Sequence, residues 1–460
     1  MKPSHYRFIL YSLIAILVLF AILAGCQQFL TTPQAKVAIT PSPSAPVSAS
    51  ACSRGSLEDA SEVVIGVIYP LSQRNMMLTG FAMQAATNLA LSAINDNGGI
   101  QGKPVRTIVY DSASSPTQGA FFAERLITLD CVAAIVGVFH SDIALAVKEV
   151  AVRHHIPVIF ADPYADEVTN DLAPEIFRIA PTRTMLIKMM GEWLSAVGDY
   201  NYDGELLTVL LVENSAYGNI RSELAHEWLP TYGIQTEVVT IDLPTTNFSP
   251  MIARIVALDK LPDAVFTYVH NGDSLLLQQQ LVAAGIGPES GTLLITTASA
   301  LNDTKFWQQV PNGAFTVVTQ VGPWPSTVPA AGQRFAALYQ QYFDRWPEAT
   351  AFEAYDALWL MADAIGRAGS LQADAIIHAL ETTDIELASG HYTFPYGSTN
   401  PPDGETVPYY MWHQWPNPHL LYLQYTEAGQ KALDAAVIWP PIYQTVDGPL
   451  APRLRTLRSQ

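Results

Sequence analysis

From residue 62 onward the chain alternates between two hydrophobic periods. Residues 63–69 form a near-continuous apolar run, typical of a strand buried on both faces. Residues 79–95 then carry apolar side chains at helical spacing and stop at Asn97-Gly98-Gly99. This exchange predicts repeated strand–helix–strand units, and so a parallel sheet with helices on both faces. The other predicted elements of this half are strands at 104–110, 132–138, 157–160 and 176–179 and helices at 116–129 and 142–153.

A second α/β unit of similar size follows the first. It is predicted to contain helices at 185–197, 217–232, 248–258 and 274–284 and strands at 206–212, 235–241, 264–268 and 293–296. Helices predicted at 332–346, 351–367 and 371–380 have no strands between them, so they must cover an existing sheet. From residue 389 the chain is aromatic and proline-rich, and YYMWHQW at 409–415 is predicted as a strand.

The stretch IVGVFHSDIALAV (135–147) changes from a strand pattern to a helical one at residues 139–142. In a doubly wound sheet of strand order 2-1-3-4-5, ligands bind beyond the C-terminal ends of strands one and three. Those ends are residues 70–72 and 140–142. The helix that begins there offers free N–H groups and a positive end to an anion, and Ser141 adds a hydroxyl. Since no glycine-rich cradle is present, a carboxylate is favoured over a phosphate. The alternative is that Ser141 is a simple N-cap.

The first 26 residues follow a different pattern. Lys2 and Arg7 precede an apolar run at 8–23, and Leu23-Ala24-Gly25-Cys26 resembles the lipobox of bacterial lipoproteins. The resemblance implies a signal peptide at 1–26 and a lipidated Cys26. A plain transmembrane anchor is the alternative. Both readings place the rest of the chain in the cell envelope, outside the cytoplasm and tethered to a membrane. Residues 27–61, rich in Pro and Ser, predict a disordered linker.

Composition narrows the choice of partners. The 460 residues are 49% hydrophobic and 14% charged, which predicts two to three domains with a large core. The net charge of -18 argues against a nucleic-acid partner, which would need a basic face.

Two further cysteines could pair in this compartment. Cys52 precedes the first predicted strand, and Cys131 precedes the third. If these strands are parallel neighbours, their N-terminal ends meet at one edge of the sheet, so a Cys52–Cys131 disulfide is reasonable. The alternative is two unpaired thiols, with Cys131 buried as a small hydrophobe.

Six segments, in order, resemble the type I periplasmic solute-binding proteins of the leucine/isoleucine/valine-binding kind. They are IGVIYPLS (65–72), AINDNGGIQGKPVRTIVYDSASSPTQGAFFAERLI (93–127), AIVGVFHSDIALAV (134–147), HHIPVIFADPYADEVT (154–169), FRIAPT (177–182) and ENSAYGN (213–219). The family captures ligands for ABC importers. The resemblance implies an α/β fold of two Rossmann-like lobes with parallel sheets, joined by a three-crossover hinge. We expect lobe 1 at 62–182 with 316–388 returning to it, lobe 2 at 183–315 with part of 389–450, and a tail at 451–460.

The resemblance also implies a ligand site between the lobes. Ser141 would hold a ligand α-carboxylate, residues 160–164 would form the loop that holds the ammonium and carboxylate, and Tyr217 would pack on the ligand side chain. The implied ligand-binding residues are Leu78, Thr79, Phe139, His140, Ser141, Asp142, Asp162, Pro163, Tyr164, Tyr217, His270, Asn271, Ala298, Ser299 and Trp324.

The chain departs from the family pattern at two positions. Asp162-Pro163-Tyr164 stands where the family has a small Ala-Thr or Ala-Ser pair. Near Ala298-Ser299 no acid is present, although the family often places a glutamate there on the ligand ammonium. A buried ammonium needs a partner, and the candidates are Asp142, Asp162 and Asp273. An aromatic pocket wall is predicted from Phe139, Tyr164, Tyr217 and Trp324, with ordinary core packing as the alternative for each.

Nothing in the sequence indicates an enzyme. G-x-S-x-G and H-E-x-x-H motifs are absent, and His154-His155 are adjacent, so on a helix they point apart and cannot chelate one metal. We expect no catalytic residues, no metal and no cofactor. The expected function is a monomeric, lipid-anchored capture protein that delivers an amino acid or analogue to ABC permease subunits. The alternatives are a ligand sensor for a membrane receptor and, less favoured, an exported hydrolase.

Overall fold

A computed structural model describes residues 52, 54–73, 76–269, 273–297 and 306–449 of the chain, with the side chains of residues 216, 217 and 273 outside the description. The lipidation prediction at Cys26, the signal peptide, most of the linker and the tail at 451–460 lie outside these residues.

The first lobe is built on a parallel sheet. Its strands are β1 (Val63–Tyr69), β2 (Val105–Asp111), β3 (Ala134–Gly137), β4 (Val158–Phe160) and β5 (Ile176–Arg178), in the order β2-β1-β3-β4-β5. This is the predicted order, so the switch point lies between β1 and β3. The connecting helices are α1 (Met77–Asp96), α2 (Pro116–Thr128) and α3 (Ser141–His154). The β-branched, fully buried centres of β1 and β3 explain why this sheet forms the middle of the lobe.

The second lobe begins directly after β5. Its elements, in chain order, are α4 (Arg183–Val197), β6 (Leu207–Glu213), α5 (Ala216–Trp228), β7 (Gln235–Ile241), α6 (Ser249–Val256), β8 (Ala264–Tyr268), α7 (Asp273–Ala283), β9 (Leu293–Thr297), α8 (Phe306–Gln309) and β10 (Val317–Val321). Thr182 caps α4 by accepting a hydrogen bond from the Met185 N–H at 3.0 Å.

The chain then returns to the first lobe. Helices α9 (Ala330–Phe343), α10 (Ala349–Ala368) and α11 (Ala373–Glu381) share one hydrophobic core with β1, β3 and α1. By length and composition alone α1 could cross a membrane, but its buried face packs against α10. A small hairpin of β11 (Asp384–Glu386) and β12 (His391–Thr393) follows. These late helices cover an existing sheet, as predicted.

The last strands complete the second sheet. β13 (Leu420–Gln424) pairs antiparallel with β10, and β14 (Ala436–Trp439) pairs antiparallel with β13. The full order is β14-β13-β10-β9-β8-β6-β7. The chain therefore passes between the lobes three times: before α4, before α9 and before β13.

Two predictions differ from the structure. β10 belongs to the second sheet because it pairs with β9, so the return to the first lobe starts after Val321 rather than at residue 316. The stretch 409–415 is not a strand. It begins with a 3-10 turn at Tyr409–Met411, and its only ladder contact among the described residues is an isolated bridge between Arg178 and Gln414.

The disulfide prediction is confirmed. Cys52 and Cys131 form a disulfide with Cα atoms 5.3 Å apart. The parallel pairing of β1 with β3 brings the N-terminal ends of these strands together, which is the geometry the prediction needed.

Candidate functional site

The candidate site lies at the C-terminal edge of the first sheet, at the junction between β3 and α3. Gly137 and Val138 both have positive φ, 107° and 64°. A positive φ is unusual for a β-branched residue, and such strain concentrates at functional sites. His140 is the N-cap residue of α3 but makes no side-chain capping bond. The N-terminus of α3 follows β3 directly, so it lies at the edge where strand order reverses.

Ser141 is the first residue of α3 rather than its N-cap. Its Oγ accepts hydrogen bonds from the backbone N–H groups of Tyr164 and Ala165, each at 3.1 Å. Both oxygen lone pairs are thus used, so the hydroxyl can serve a ligand only by donating its hydrogen. Donation suits a carboxylate acceptor, which matches the positive end of a helix N-terminus.

The neighbours of Ser141 differ in exposure. Phe139 is half-buried and packs edge-on to the His140 ring, with centroids 4.8 Å apart. Burial lowers the pKa of His140, although the nearby negative charge of Asp142 acts to raise it. A neutral imidazole therefore lies beside the helix N-terminus, while the exposed Asp142 bonds the Ile143 N–H.

The first turn of α1 forms a second side of the site. Leu78 is 72% exposed and Thr79 is half-buried. Gly80 lets this turn approach the end of β1, because a Cβ there would lie 2.1 Å from the Pro70 carbonyl oxygen. The following residue of the β1 loop is held by a bond from the Leu71 N–H to Asp111 at 2.8 Å.

Asp162 belongs to a buried carboxyl pair. Its side chain is 7% exposed and hydrogen-bonds to Glu353 of α10, which is 5% exposed, and to Tyr164. Burial raises the pKa of Asp162 to about 7, and burial with the adjacent Asp162 charge raises that of Glu353. Two buried carboxylates in contact repel each other when both are ionised, so the pair holds a proton near neutral pH.

The sequence predictions missed Glu353. The signal was present in AFEAYDALWL, where Glu353 and Asp356 interrupt an apolar helix three residues apart and so lie on one face.

Tyr164 connects the two lobes. Its backbone N–H bonds Ser141, and its carbonyl accepts a 2.8 Å bond from the Arg183 N–H at the start of α4. The ring lines a cavity of about 280 Å³ that continues between α4 and α5 of the second lobe. At the end of β8, Tyr268 also lines this cavity, with the Arg221 guanidinium 4.3 Å above its ring. Pro163, between Asp162 and Tyr164, is buried.

The remaining second-lobe predictions are only partly described. Tyr217 lies in the first turn of α5, and its side chain is outside the described part. His270, Asn271, Ala298 and Ser299 fall outside the described residues altogether.

Trp324 is largely buried. It is 5% exposed and packs in a second-lobe hydrophobic cluster with Phe306 and Tyr425. This packing fits the alternative of an ordinary core position, and a place in the pocket wall stays a prediction.

A buried arginine that the sequence predictions missed holds the site loop in place. Arg178 is fully buried and donates to the Ala165 carbonyl, Thr169 Oγ1 and Gln414 Oε1 at 2.5, 2.8 and 2.5 Å. Burial lowers its pKa to about 10, so it stays charged. The segment that follows Tyr164 is thereby fixed to the third crossover.

Known proteins are similar to this chain in sequence and in fold. The chain is 25% identical over 366 residues to the Leu/Ile/Val-binding protein homolog 7 of Brucella suis biovar 1 (strain 1330), covering 76% of this chain and 88% of the relative. Its fold is similar to that of the branched-chain amino acid transporter substrate binding protein LivJ from Streptococcus pneumoniae in complex with isoleucine. That structure has a TM-score of 0.62 and 19% identity, with 82% of this chain and 100% of that chain covered.

A second solved structure is a solute binding protein of an ABC transporter from Rhodopseudomonas palustris BisB5, in complex with 3,4-dihydroxy benzoic acid. It has a TM-score of 0.60 and 21% identity, with 79% of this chain and 93% of that chain covered. These similarities confirm the predicted α/β fold of two parallel-sheet lobes.

The model of the periplasmic binding protein family matches residues 62–412, which is more than half of the chain. Proteins of this kind bind solutes outside the cytoplasm and are not enzymes, which confirms the expectation of a non-catalytic protein. The chain belongs to the periplasmic binding protein family.

Proposed function

We propose that this chain is a lipid-anchored solute-binding protein that captures an amino acid, or a related carboxylate or amide, between its lobes and delivers it to an ABC importer. The observation that carries the proposal is the N-terminus of α3. The start of this helix, with the Ser141 hydroxyl, lies at the β1/β3 switch point, beside a loop bonded to the second lobe.

The named relatives support a carboxylate ligand. One is named for leucine, isoleucine and valine, and the two solved structures hold isoleucine and 3,4-dihydroxy benzoic acid. These compounds share a carboxylate, the group that a helix N-terminus and a donating hydroxyl favour.

The proposed mechanism is a population shift between open and closed lobes. A ligand held by Ser141 and by second-lobe groups favours the closed form, because it contacts both lobes only there. The proposed first lobe comprises residues 62–182 with α9–α11, and the proposed second lobe comprises α4 to β10 with β13 and β14. The permease would then read the closed form.

A thermal-shift screen of amino acids, simple carboxylates and amides tests the proposed ligand class. A ligand that binds only the folded state must raise its melting temperature, and by an amount that grows with concentration. We expect at least one carboxylate to do so, and the same compound to give a saturable isotherm in calorimetry. If all members of the screen leave the melting temperature unchanged, the ligand class is wrong.

Membrane anchoring is tested separately on the full chain in a bacterial host. We expect incorporation of a radiolabelled fatty acid into the wild type and none into Cys26→Ala. Unlabelled wild-type protein in the membrane fraction would instead support the plain transmembrane anchor.

A further inference from the structure

The cavity between α4 and α5 is larger than a branched aliphatic side chain needs. Its volume is about 280 Å³. A 150 Å³ apolar cavity in another protein accommodates benzene, which has six carbons. By proportion, this cavity has room for roughly eleven non-hydrogen atoms. A leucine side chain has only four carbons, so it would leave roughly two-thirds of the cavity unfilled.

The walls of the cavity are mainly hydrocarbon. Five apolar side chains line it: Leu186 and Ile187 of α4, Leu210 of β6, and Ile220 and Leu224 of α5. Of these, Leu210 is fully buried and Ile187 is 7% exposed. When an apolar group of a ligand enters the cavity, its surface moves from water to this apolar lining, and that transfer favours binding.

The charged side chains of the lining are both cationic. Arg183 and Arg221 line the cavity, and none of the described lining residues is an acid. The Arg221 guanidinium stacks over the Tyr268 ring, forming a flat, positively charged wall. Such a wall attracts the electron-rich face of an aromatic ring and repels an ammonium group.

One residue belongs both to the cavity and to the surroundings of the α3 N-terminus. Tyr164 lines the cavity, and its backbone N–H donates to Ser141 Oγ at 3.1 Å. One short ligand can therefore place a carboxylate at the α3 N-terminus and an apolar group in the cavity.

We infer that the cavity between α4 and α5 binds the ring of an aromatic carboxylate, and that it makes this chain selective for aromatic over branched aliphatic ligands. The inference rests on the proposed function, because it names the ligand class of the same site. It covers aromatic amino acids and aromatic acids without an amino group, which share the ring and the carboxylate.

Two matched pairs of probes test the selectivity by calorimetry on the wild type. One pair is L-phenylalanine and L-leucine, and the other is 3-phenylpropanoate and 4-methylpentanoate. We expect the aromatic member of at least one pair to bind about tenfold or more tightly than its aliphatic partner. The uncharged 3-phenylpropanamide should bind at least about tenfold more weakly than 3-phenylpropanoate if the latter binds.

Variants that fill the cavity test its location. Leu224→Trp should weaken the aromatic probe by about tenfold or more and leave the aliphatic probe within about threefold. Ile220→Phe is a milder filling variant in case Leu224→Trp does not fold. Val256→Trp is the control, since Val256 is 60% exposed on α6 of the same lobe, away from the cavity.

The outcomes separate this inference from the proposed function. Aliphatic probes that bind as tightly as the aromatic ones overturn the inference and leave the proposed function standing. A filling variant that weakens both probes equally, or neither, also overturns it. If no probe in either pair binds and the wider screen is negative, the proposed function fails as well.

Discussion

At the residue scale, Ser141 has a structural role as well as a proposed binding role. Ser141→Ala removes the acceptor of two backbone N–H groups, so we expect the free energy of unfolding to fall by about 1–3 kcal/mol. It also removes the donor to a ligand carboxylate, so affinity should fall about tenfold. Urea unfolding and calorimetry measure the two effects. Ser141→Thr keeps the hydroxyl and is the matched control. Unchanged affinity in Ser141→Ala would rule out this hydroxyl as a ligand contact.

The Asp162–Glu353 pair predicts a pH dependence of stability. Burial raises the pKa of Asp162 to about 7, from about 4 in the unfolded chain. The folded state then holds more protons than the unfolded state between these values, so stability falls as pH rises from about 4 to 7. Glu353→Gln removes one of the two charges and should flatten this part of the profile.

Urea unfolding across this pH range, on the wild type and Glu353→Gln, measures the difference in slope. Glu405→Gln, an exposed acid in a loop, is the control and should keep the wild-type slope. A Glu353→Gln profile parallel to that of the wild type would contradict the shared-proton account.

A residue near the candidate site could be predicted from the sequence only where its partners are close to it along the chain. The position of Ser141 at the β3–α3 junction was predictable because a strand end, a hydroxyl and a helix start adjoin in one short stretch. Glu353 and Arg178 were not, since their partners Asp162 and Gln414 approach only after the chain has crossed between lobes. The sequence left two alternatives for Trp324, because a tryptophan that packs in a core has the same sequence pattern as one that lines a pocket.

At the element scale, the hydrophobic period predicted whether a segment is a helix or a strand better than it predicted which lobe the segment belongs to. Buried β-branched runs and helical spacing identified β1–β5 and α1–α3, and the order of the first sheet followed from topology. β10 was assigned to the wrong lobe because the sequence of a five-residue strand does not indicate which of the two sheets it pairs with. The strand prediction at 409–415 was wrong because the aromatic residues there pack against β5 and the neighbouring loop and do not pair in a sheet.

The third crossover depends on one charged side chain. Arg178→Met leaves the acceptors at Ala165, Thr169 and Gln414 without their buried donor, so we expect a loss of about 1–3 kcal/mol in the free energy of unfolding. Arg254→Met is the matched control, because Arg254 pairs with Glu237 at 3.1 Å on the surface and should cost less than about 1 kcal/mol. Urea unfolding of both variants makes the comparison. Equal losses would show that the Arg178 contacts do not stabilise the crossover.

At the scale of the whole molecule, three crossovers between two separately built sheets allow the lobes to move as bodies. We expect a saturating ligand to reduce the radius of gyration in small-angle X-ray scattering, because the closed form gains ligand contacts from both lobes. The same ligand at a hundredfold its Kd should add about 2.7 kcal/mol to the free energy of unfolding.

Ser141→Ala at the same ligand concentration is the control for both measurements. Weaker binding leaves a smaller fraction closed, so compaction and stabilisation should decrease together. A ligand that stabilises the wild type fully but leaves its radius of gyration unchanged would separate binding from closure. Capture would then occur within one lobe, and the bond between Tyr164 and Arg183 would be a static link rather than part of a hinge.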